Sequence, residues 1–402
     1  MISGVCFLEA SHEGAEQWSS PRIRFPKTST GACFTGDGIT LVYYRCRTFV
    51  FGWNTLFFVR EASHHLIWFS DDCVHTMLSQ GNNSMPYDWE RVVTHQSQHA
   101  KRRQRLLSQI TQACTMWAQQ HCLDVTYARD SAFAAVIALP SRSQPIIRLV
   151  AQLILWIYVA DRVLDRQISP TTTPDPNQID RQIATMLQAF QSPVTTTESE
   201  SSPDLPESIY ALRGALSDLL ARLTRRWKHT FPEAAITERR RQFADETTKL
   251  LQAMRTEVLL RQETVAHLTL DAYLTCGSTS IGVPLVSWTI ASMMPEGLAC
   301  CAEIQPALFH AACCVRLCND LSSYQAEKAE GKVNSVLLIQ MRDATAPLSA
   351  VMATIRVRSH HEADRFATLI ATQSSTMLSS FLLTTVAFAL QRYEMGGYVR
   401  AN

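Results

Sequence analysis

The feature that most narrows the fold is where the helix breakers lie. Seven of the chain's 14 glycines fall in the first 84 residues, leaving seven for the 318 residues from Met85 to Asn402. Glycine and proline punctuate regular backbone, so a long stretch poor in glycine with apolar residues at helical spacing is restricted to packed helices. Helical patterning is expected over 97–121, 130–138, 145–167, 179–190, 207–230, 235–263, 268–276, 283–293, 305–329 and 376–393. Two segments rich in Pro, Ser and Thr interrupt it, ISPTTTPDPN (168–177) and QSPVTTTESESSPDLPE (191–207), and read as surface loops. No internal repeat is visible. An all-α domain over 85–402 follows.

Residues 1–84 differ. Runs such as TFVFGWNTLFFV (48–59) have strand character, and turn residues separate them. Two readings stand side by side: a small accessory domain with some β content, or an extension upstream of a start at Met85, where MPYDWERVV leads into a helix. Neither finds a chemical motif before Met85.

Charge and cysteine usage remove several function classes. With 37 basic and 36 acidic residues the formal net charge is +1, and no basic block suits nucleic acid. The 12 cysteines show no CxxC pairing of the kind zinc sites use. Met1–Ser20 lacks the basic start and apolar centre of a signal peptide. The longest uncharged apolar run, Leu149–Ala160, falls short of the roughly 20 residues a membrane span needs. A cytoplasmic protein with reduced thiols and no stable membrane insertion is expected.

The segment RLCNDLSSYQAEKAEG (316–331) carries the chemistry. Residues at helical offsets of 0, 3, 7 and 11 share one stripe, which puts Arg316, Asn319, Ser323 and Glu327 on one face. Asn, Ser and Glu offer oxygen donors, the preference of hard Mg²⁺. A solvated helix face is the plain alternative, yet LFHAACCVRLC before it and VNSVLLI after it look buried. Upstream, LILWIYVADRVLDRQ places Asp161 and Asp165 one turn apart. Like charges at that spacing repel, and a shared cation removes the repulsion. The alternative is a helix end turning to solvent, with Arg162 and Arg166 as partners.

Together these motifs resemble class I terpene synthases. NDLSSYQAE (319–327) is similar in full to that family's (N/D)Dxx(S/T)xxxE motif. DRVLD (161–165) is similar to its aspartate-rich motif, with Arg162 in place of the usual second Asp. The resemblance implies an all-α bundle around an apolar active-site cavity. It implies Mg²⁺, three ions in typical members, held by Asp161, Asp165, Asn319, Ser323 and Glu327 against the diphosphate of a prenyl substrate. Arg316 resembles the plant-type arginine that contacts diphosphate, and Arg392–Tyr393 resembles the bacterial pair that closes over it. YLTCGSTSIGVP (273–284) resembles the family's broken helix, with Gly277, Gly282 and Pro284 to break it and no arginine sensor. Trp117, Phe133, Trp156, Tyr158, Tyr273 and Trp288 are candidates either for the cavity wall, where aromatic faces stabilise carbocations, or for plain core.

The implied reaction is loss of diphosphate from a C20 substrate to give a diterpene, as in bacterial diterpene synthases. The chain has no DxDD motif, so a bicyclic substrate would come from a separate class II cyclase. A sesquiterpene synthase acting on farnesyl diphosphate is an alternative. So is a head-to-head prenyltransferase of the squalene type, although its second motif would put Asp where Tyr324 stands. A non-catalytic helical binding protein is the alternative from another class. A homodimer is among the assemblies open to such a bundle.

Overall fold

The computed structural model describes residues 89–139, 142–166, 174–191, 205–260, 267–295, 297–371 and 376–394, together with four short strands nearer the N-terminus. The chain divides into two compact units, Met1–Thr48 with Gly52–Asn83, and Phe49–Phe51 with Ser84–Asn402. In the first, β1 (Cys33–Gly36) pairs antiparallel with β2 (Ile39–Val42), and β3 (Phe57–Val59) with β4 (Leu66–Trp68).

The described part of the second unit is helical. In chain order it runs α1 (Trp89–Gln120), α2 (Ala128–Ala138), α3 (Gln144–Asp165), α4 (Pro176–Leu187), α5 (Glu207–Lys228) and α6 (Glu233–Leu259). It continues with α7 (Leu270–Ser280), α8 (Val283–Ser292), α9 (Gly297–Glu303), α10 (Gln305–Glu330), α11 (Ser335–Arg342), α12 (Leu348–Ile370) and α13 (Thr376–Glu394). Ten of these coincide with the expected stretches to within a turn or two. The exception at a start is α1, which begins at Trp89 and not near residue 97. Most of the two expected loops lies outside the described residues.

α3 and α10 organise the bundle. α3 is buried along most of its length, with Ile147, Val150, Leu153, Leu155, Trp156, Ala160 and Leu164 in the core. Trp156 is fully enclosed and its indole N–H donates to the Leu212 carbonyl of α5 at 2.9 Å, as buried indoles usually do. α10 packs along α12 and α13 on one side and α7 on another. Its Ala307, Ala311, Ala312 and Cys314 are small and buried, so neighbouring helices approach closely.

Sequence patterning did not single out α9, α11 and α12. The reason is clearest in α12. Its buried stripe runs Val351, Ile355, Ser359, Glu362, Phe366, Ile370, and the two polar members in the middle interrupt the apolar period that would have marked a helix of 23 residues. Glu362 is tolerated because Arg358 Nε donates to it at 2.7 Å and His310 Nδ1 of α10 lies 2.5 Å away.

The break between α7 and α8 falls where expected, but its glycines do different work. Gly282 has φ of +79° and Pro284 opens α8, so the left-handed turn and the missing amide end one helix and start the next. Gly277 lies within α7. A Cβ there would sit 3.1 Å from Cγ and 3.3 Å from Cδ of Arg316, so the missing side chain lets the Arg316 stem lie against the α7 backbone.

Candidate metal centre

The end of α10 is built by local sequence logic. Gly331 follows the helix with φ of +75°, and Lys332 N donates back to the Glu327 carbonyl at 2.9 Å, a glycine-dependent helix stop. This reversal turns Lys332 onto Asp165 Oδ2 at the end of α3; the same ammonium lies 2.8 Å from Glu330. Two residues on, Asn334 caps α11, its Oδ1 accepting from the amides of Val336 and Leu337. The Asn334 Nδ2 donates to Glu327 Oε2 and to the Asp320 carbonyl, both at 2.9 Å. One short loop therefore fixes a carboxylate from each motif.

Asn319, Ser323 and Glu327 are all partly buried on α10, and Ser323 Oγ donates to the Asn319 carbonyl at 2.9 Å. Burial, and next the charge of Asp320, push the Glu327 carboxyl up to about 7. On α3, burial raises Asp161 well above the ordinary carboxylate range, and the charges of Asp165 and Glu257 raise it further; Lys332 and Arg316 pull it back. Burial also raises Asp165, against the opposing pull of Lys332 and Arg316. The same two cations act on both aspartates, so the end of α3 and the face of α10 share one electrostatic neighbourhood.

Beneath this face lies a network that sequence reasoning did not find. Asp320 is completely buried. Its carboxylate accepts from the Tyr273 hydroxyl at 2.9 Å and the Ser335 amide at 3.0 Å, and lies 3.0 Å from Arg316 Nε. Arg316 also reaches Glu257 on α6 through Nη1 at 2.9 Å, and its Nη2 meets the Tyr273 hydroxyl at 2.5 Å. All three guanidinium nitrogens thus have protein partners. The expected reach of Arg316 toward a diphosphate would have to exchange one of them. Tyr273, a candidate for the cavity wall, is 1% exposed with its hydroxyl inside this network. Two signals for the network were present in the sequence: Asp320 four residues from Arg316, and Asn334 directly before an apolar run, the position of an N-cap.

Of the other expected residues, Arg162 donates to the Tyr127 hydroxyl at 2.9 Å and does not pair with either aspartate. Trp117 donates to Asp218 at 2.7 Å and Trp288 to Gln242 at 3.3 Å. Arg392 and Tyr393 fall in the last turn of α13, and their side chains lie outside the described residues.

Among the described residues no three His, Cys, Asp or Glu side chains converge to hold a metal alone. The donor set nevertheless suits a hard cation. It is all oxygen, it includes an amide and a hydroxyl, and its three carboxylates are desolvated and raised. Such carboxylates lack positive charge, and a divalent ion supplies it.

A family profile described as "Terpene synthase family 2, C-terminal metal binding" matches residues 152–365, a span holding both motifs. The chain belongs to the terpene synthase family. Over 97 residues, 23% of the chain and 11% of the relative, it is 34% identical to dolabradiene synthase KSL4, chloroplastic, of Zea mays. Among solved structures, isoprene synthase from grey poplar superposes with a TM-score of 0.57 at 14% identity, covering 80% of this chain and 59% of that one. Linalool/nerolidol synthase from Streptomyces clavuligerus, in complex with 2-fluorogeranyl diphosphate, does so with a TM-score of 0.52 at 16% identity, covering 72% and 94%. At these identities the likeness is one of fold: this terpene synthase chain has the helical class I architecture. No described helix is long and apolar enough to cross a membrane.

Proposed function

We propose that this chain is a magnesium-dependent class I terpene synthase that ionises a prenyl diphosphate. The observation that supports this reading is the loop after α10, in which Lys332 engages Asp165 at the end of α3 while Asn334 holds Glu327 of the α10 stripe. Mg²⁺ at these residues, three ions by analogy, would neutralise the departing diphosphate. The poplar isoprene synthase was solved with three Mg²⁺ ions and dimethylallyl-S-thiolodiphosphate, which supports the number and the ligand class.

The remaining work belongs to the protein. Glu327 is aimed by Asn334, and Asp165 is held by Lys332 until a stronger cation competes for it. Arg316, its side chain 10% exposed, would exchange one of its protein partners to donate to a diphosphate, and Arg392 and Tyr393 would close over it from the end of α13. A carbocation formed there would need a wall that excludes water, which would otherwise quench it. The preferred substrate is C20, linear or bicyclic, the latter from a separate class II cyclase; the 97-residue similarity to the maize dolabradiene synthase supports this reading. A sesquiterpene synthase acting on farnesyl diphosphate is the second reading, because the bundle alone does not fix chain length. Residues 1–84 are proposed to be accessory to the catalytic domain.

The test is incubation with Mg²⁺ and geranyl, farnesyl, geranylgeranyl or copalyl diphosphate, with products read by gas chromatography. A diterpene from a C20 substrate is expected. A product from farnesyl diphosphate alone would replace the C20 reading, and no diphosphate release from any substrate would remove the lyase assignment.

A further inference from the structure

At the other end of α3 from its aspartates lies a cavity of about 750 Å³, lined by Arg148 and Gln152 of α3, by Arg222, Arg225 and Arg226 of α5, and by His229 just beyond it. Arg148 and Asp161 are thirteen residues apart (161 − 148), about 20 Å at 1.5 Å per residue, so this cavity is separate from the metal centre. Four guanidiniums line it and one is neutralised: Arg222 Nε lies 2.8 Å from Asp218 Oδ2, and its Nη1 donates to buried Gln152 at 3.1 Å. Among the described residues, no carboxylate pairs with Arg148, Arg225 or Arg226. The Arg226 Nε is shielded from solvent and has no hydrogen-bond partner.

The plain account is that cations favour a helix C-terminus. That covers Arg225 and Arg226 in the last turn of α5. It does not cover Arg148, which stands near the N-terminal end of α3, where a cation opposes the helix dipole. Nor does it cover a shielded N–H left unpaired, which costs about 1–3 kcal/mol. Unneutralised guanidiniums lining one concave site match the oxygens of phosphate in paired, fork-like hydrogen bonds.

We infer that this cavity is a second anion site, taking a phosphate-class ligand, either free diphosphate or a phospholipid headgroup, with Arg148 and Arg226 as its principal donors. The test uses the full chain without Mg²⁺, with chelator present. Inorganic diphosphate should raise the thermal midpoint of wild type above that in chloride of matched ionic strength, since a ligand of the native state stabilises it. The double variant R148Q/R226Q should start with a midpoint equal to or above wild type, because repulsion is relieved, and should lose the response, with affinity down roughly tenfold or more. R148K/R226K, which keeps the charge and loses the forks, should respond only in part. In a parallel arm, the protein is sedimented with phosphatidylcholine vesicles containing phosphatidic acid. A diphosphate response lost in R148Q/R226Q supports the site with a free anion as ligand. Vesicle binding lost in that variant, without a diphosphate response, supports it with a headgroup as ligand. An equal diphosphate response in wild type and variant would place the anion elsewhere and overturn the inference, as would no binding in either arm.

Discussion

Arg316 and Asp320 stand one turn apart on α10, 3.0 Å from Nε to Oδ1, and both are buried. The Tyr273 hydroxyl bridges them, and Glu257 holds the outer side of the guanidinium. Breaking a buried ion pair by removing one partner leaves a charge without compensation and costs about 3–5 kcal/mol. Asp320→Ala should therefore lower the urea midpoint severely or prevent folding, while Tyr273→Phe, which removes one hydroxyl, should cost about 1–3 kcal/mol. Arg316→Lys should lose stability together with turnover, since an ammonium cannot serve Glu257, Tyr273 and Asp320 at once. A normal midpoint for Asp320→Ala in urea unfolding would mean that the network does not support this face.

Glu327 behaves in the opposite way. Its carboxyl is pushed up to about 7 by burial and by Asp320, so in the metal-free protein it is an uncomfortable group. Glu327→Gln keeps an acceptor for Asn334 and removes the charge. Its melting temperature in chelator should equal or exceed wild type, while turnover with Mg²⁺ falls roughly a hundredfold or more. Asn319→Ala and Ser323→Ala should lose turnover with the fold intact. Circular dichroism melts beside a diphosphate-release assay separate the two effects, and near-normal turnover from Glu327→Gln would remove it from the ligand set.

The two aspartates of α3 are not equivalent. Asp165 is engaged by Lys332, whereas no ion pair reaches Asp161 among the described residues. A cation entering the site finds Asp161 uncommitted, so Asp161→Ala should reduce turnover more than Asp165→Ala. Lys332→Met should leave Asp165 unpaired, lower the melting temperature in chelator, and enlarge the rise in melting temperature that Mg²⁺ produces. Equal Mg²⁺ responses in Lys332→Met and wild type would show that the ammonium does not compete with metal.

The helices and the α10 stripe were legible because each is a local regularity: a 3.6-residue apolar period, or four polar positions on one face. The network below the stripe was not. Asp320, Tyr273 and Glu257 come from α10, α7 and α6, and nothing in the sequence says that three such distant residues will meet at Arg316. Lys332 escaped notice for another reason. Its reach to Asp165 depends on the left-handed turn at Gly331, which reads in sequence only as a helix stop. Gly277 was legible as a glycine and misjudged in role, since its use is to admit the Arg316 stem and not to break a helix.

Asp218 provides a pH signature far from the metal centre. Although burial would raise its carboxyl, the His121 imidazole 3.5 Å away, the hydrogen bond from Trp117 and the charge of Arg222 hold it down at about 2. A carboxylate depressed in the folded state contributes stability in full above its ordinary value of 3.8, and loses that contribution as pH falls through about 2. The total is on the order of 2 kcal/mol. Asp218→Asn should lower the neutral-pH melting temperature and flatten its decline in acid. An Asn variant that loses stability in acid as steeply as wild type would assign the acid transition to other carboxylates.

Deleting residues 1–84 tests the division of the chain. Within the described part of the second unit, the core is formed by α1 to α13, from Ile110 and Trp117 on α1 to Leu382 and Ala389 on α13. Every residue proposed for the metal centre lies at or beyond Asp161, and the second anion site begins at Arg148. The truncated chain should therefore be soluble, melt cooperatively and turn over substrate. A truncated protein that releases diphosphate but yields mainly linear alcohols would show that the removed segment shields the carbocation from water. An insoluble product would place that segment in the folding core and move the boundary of the catalytic domain upstream of Met85.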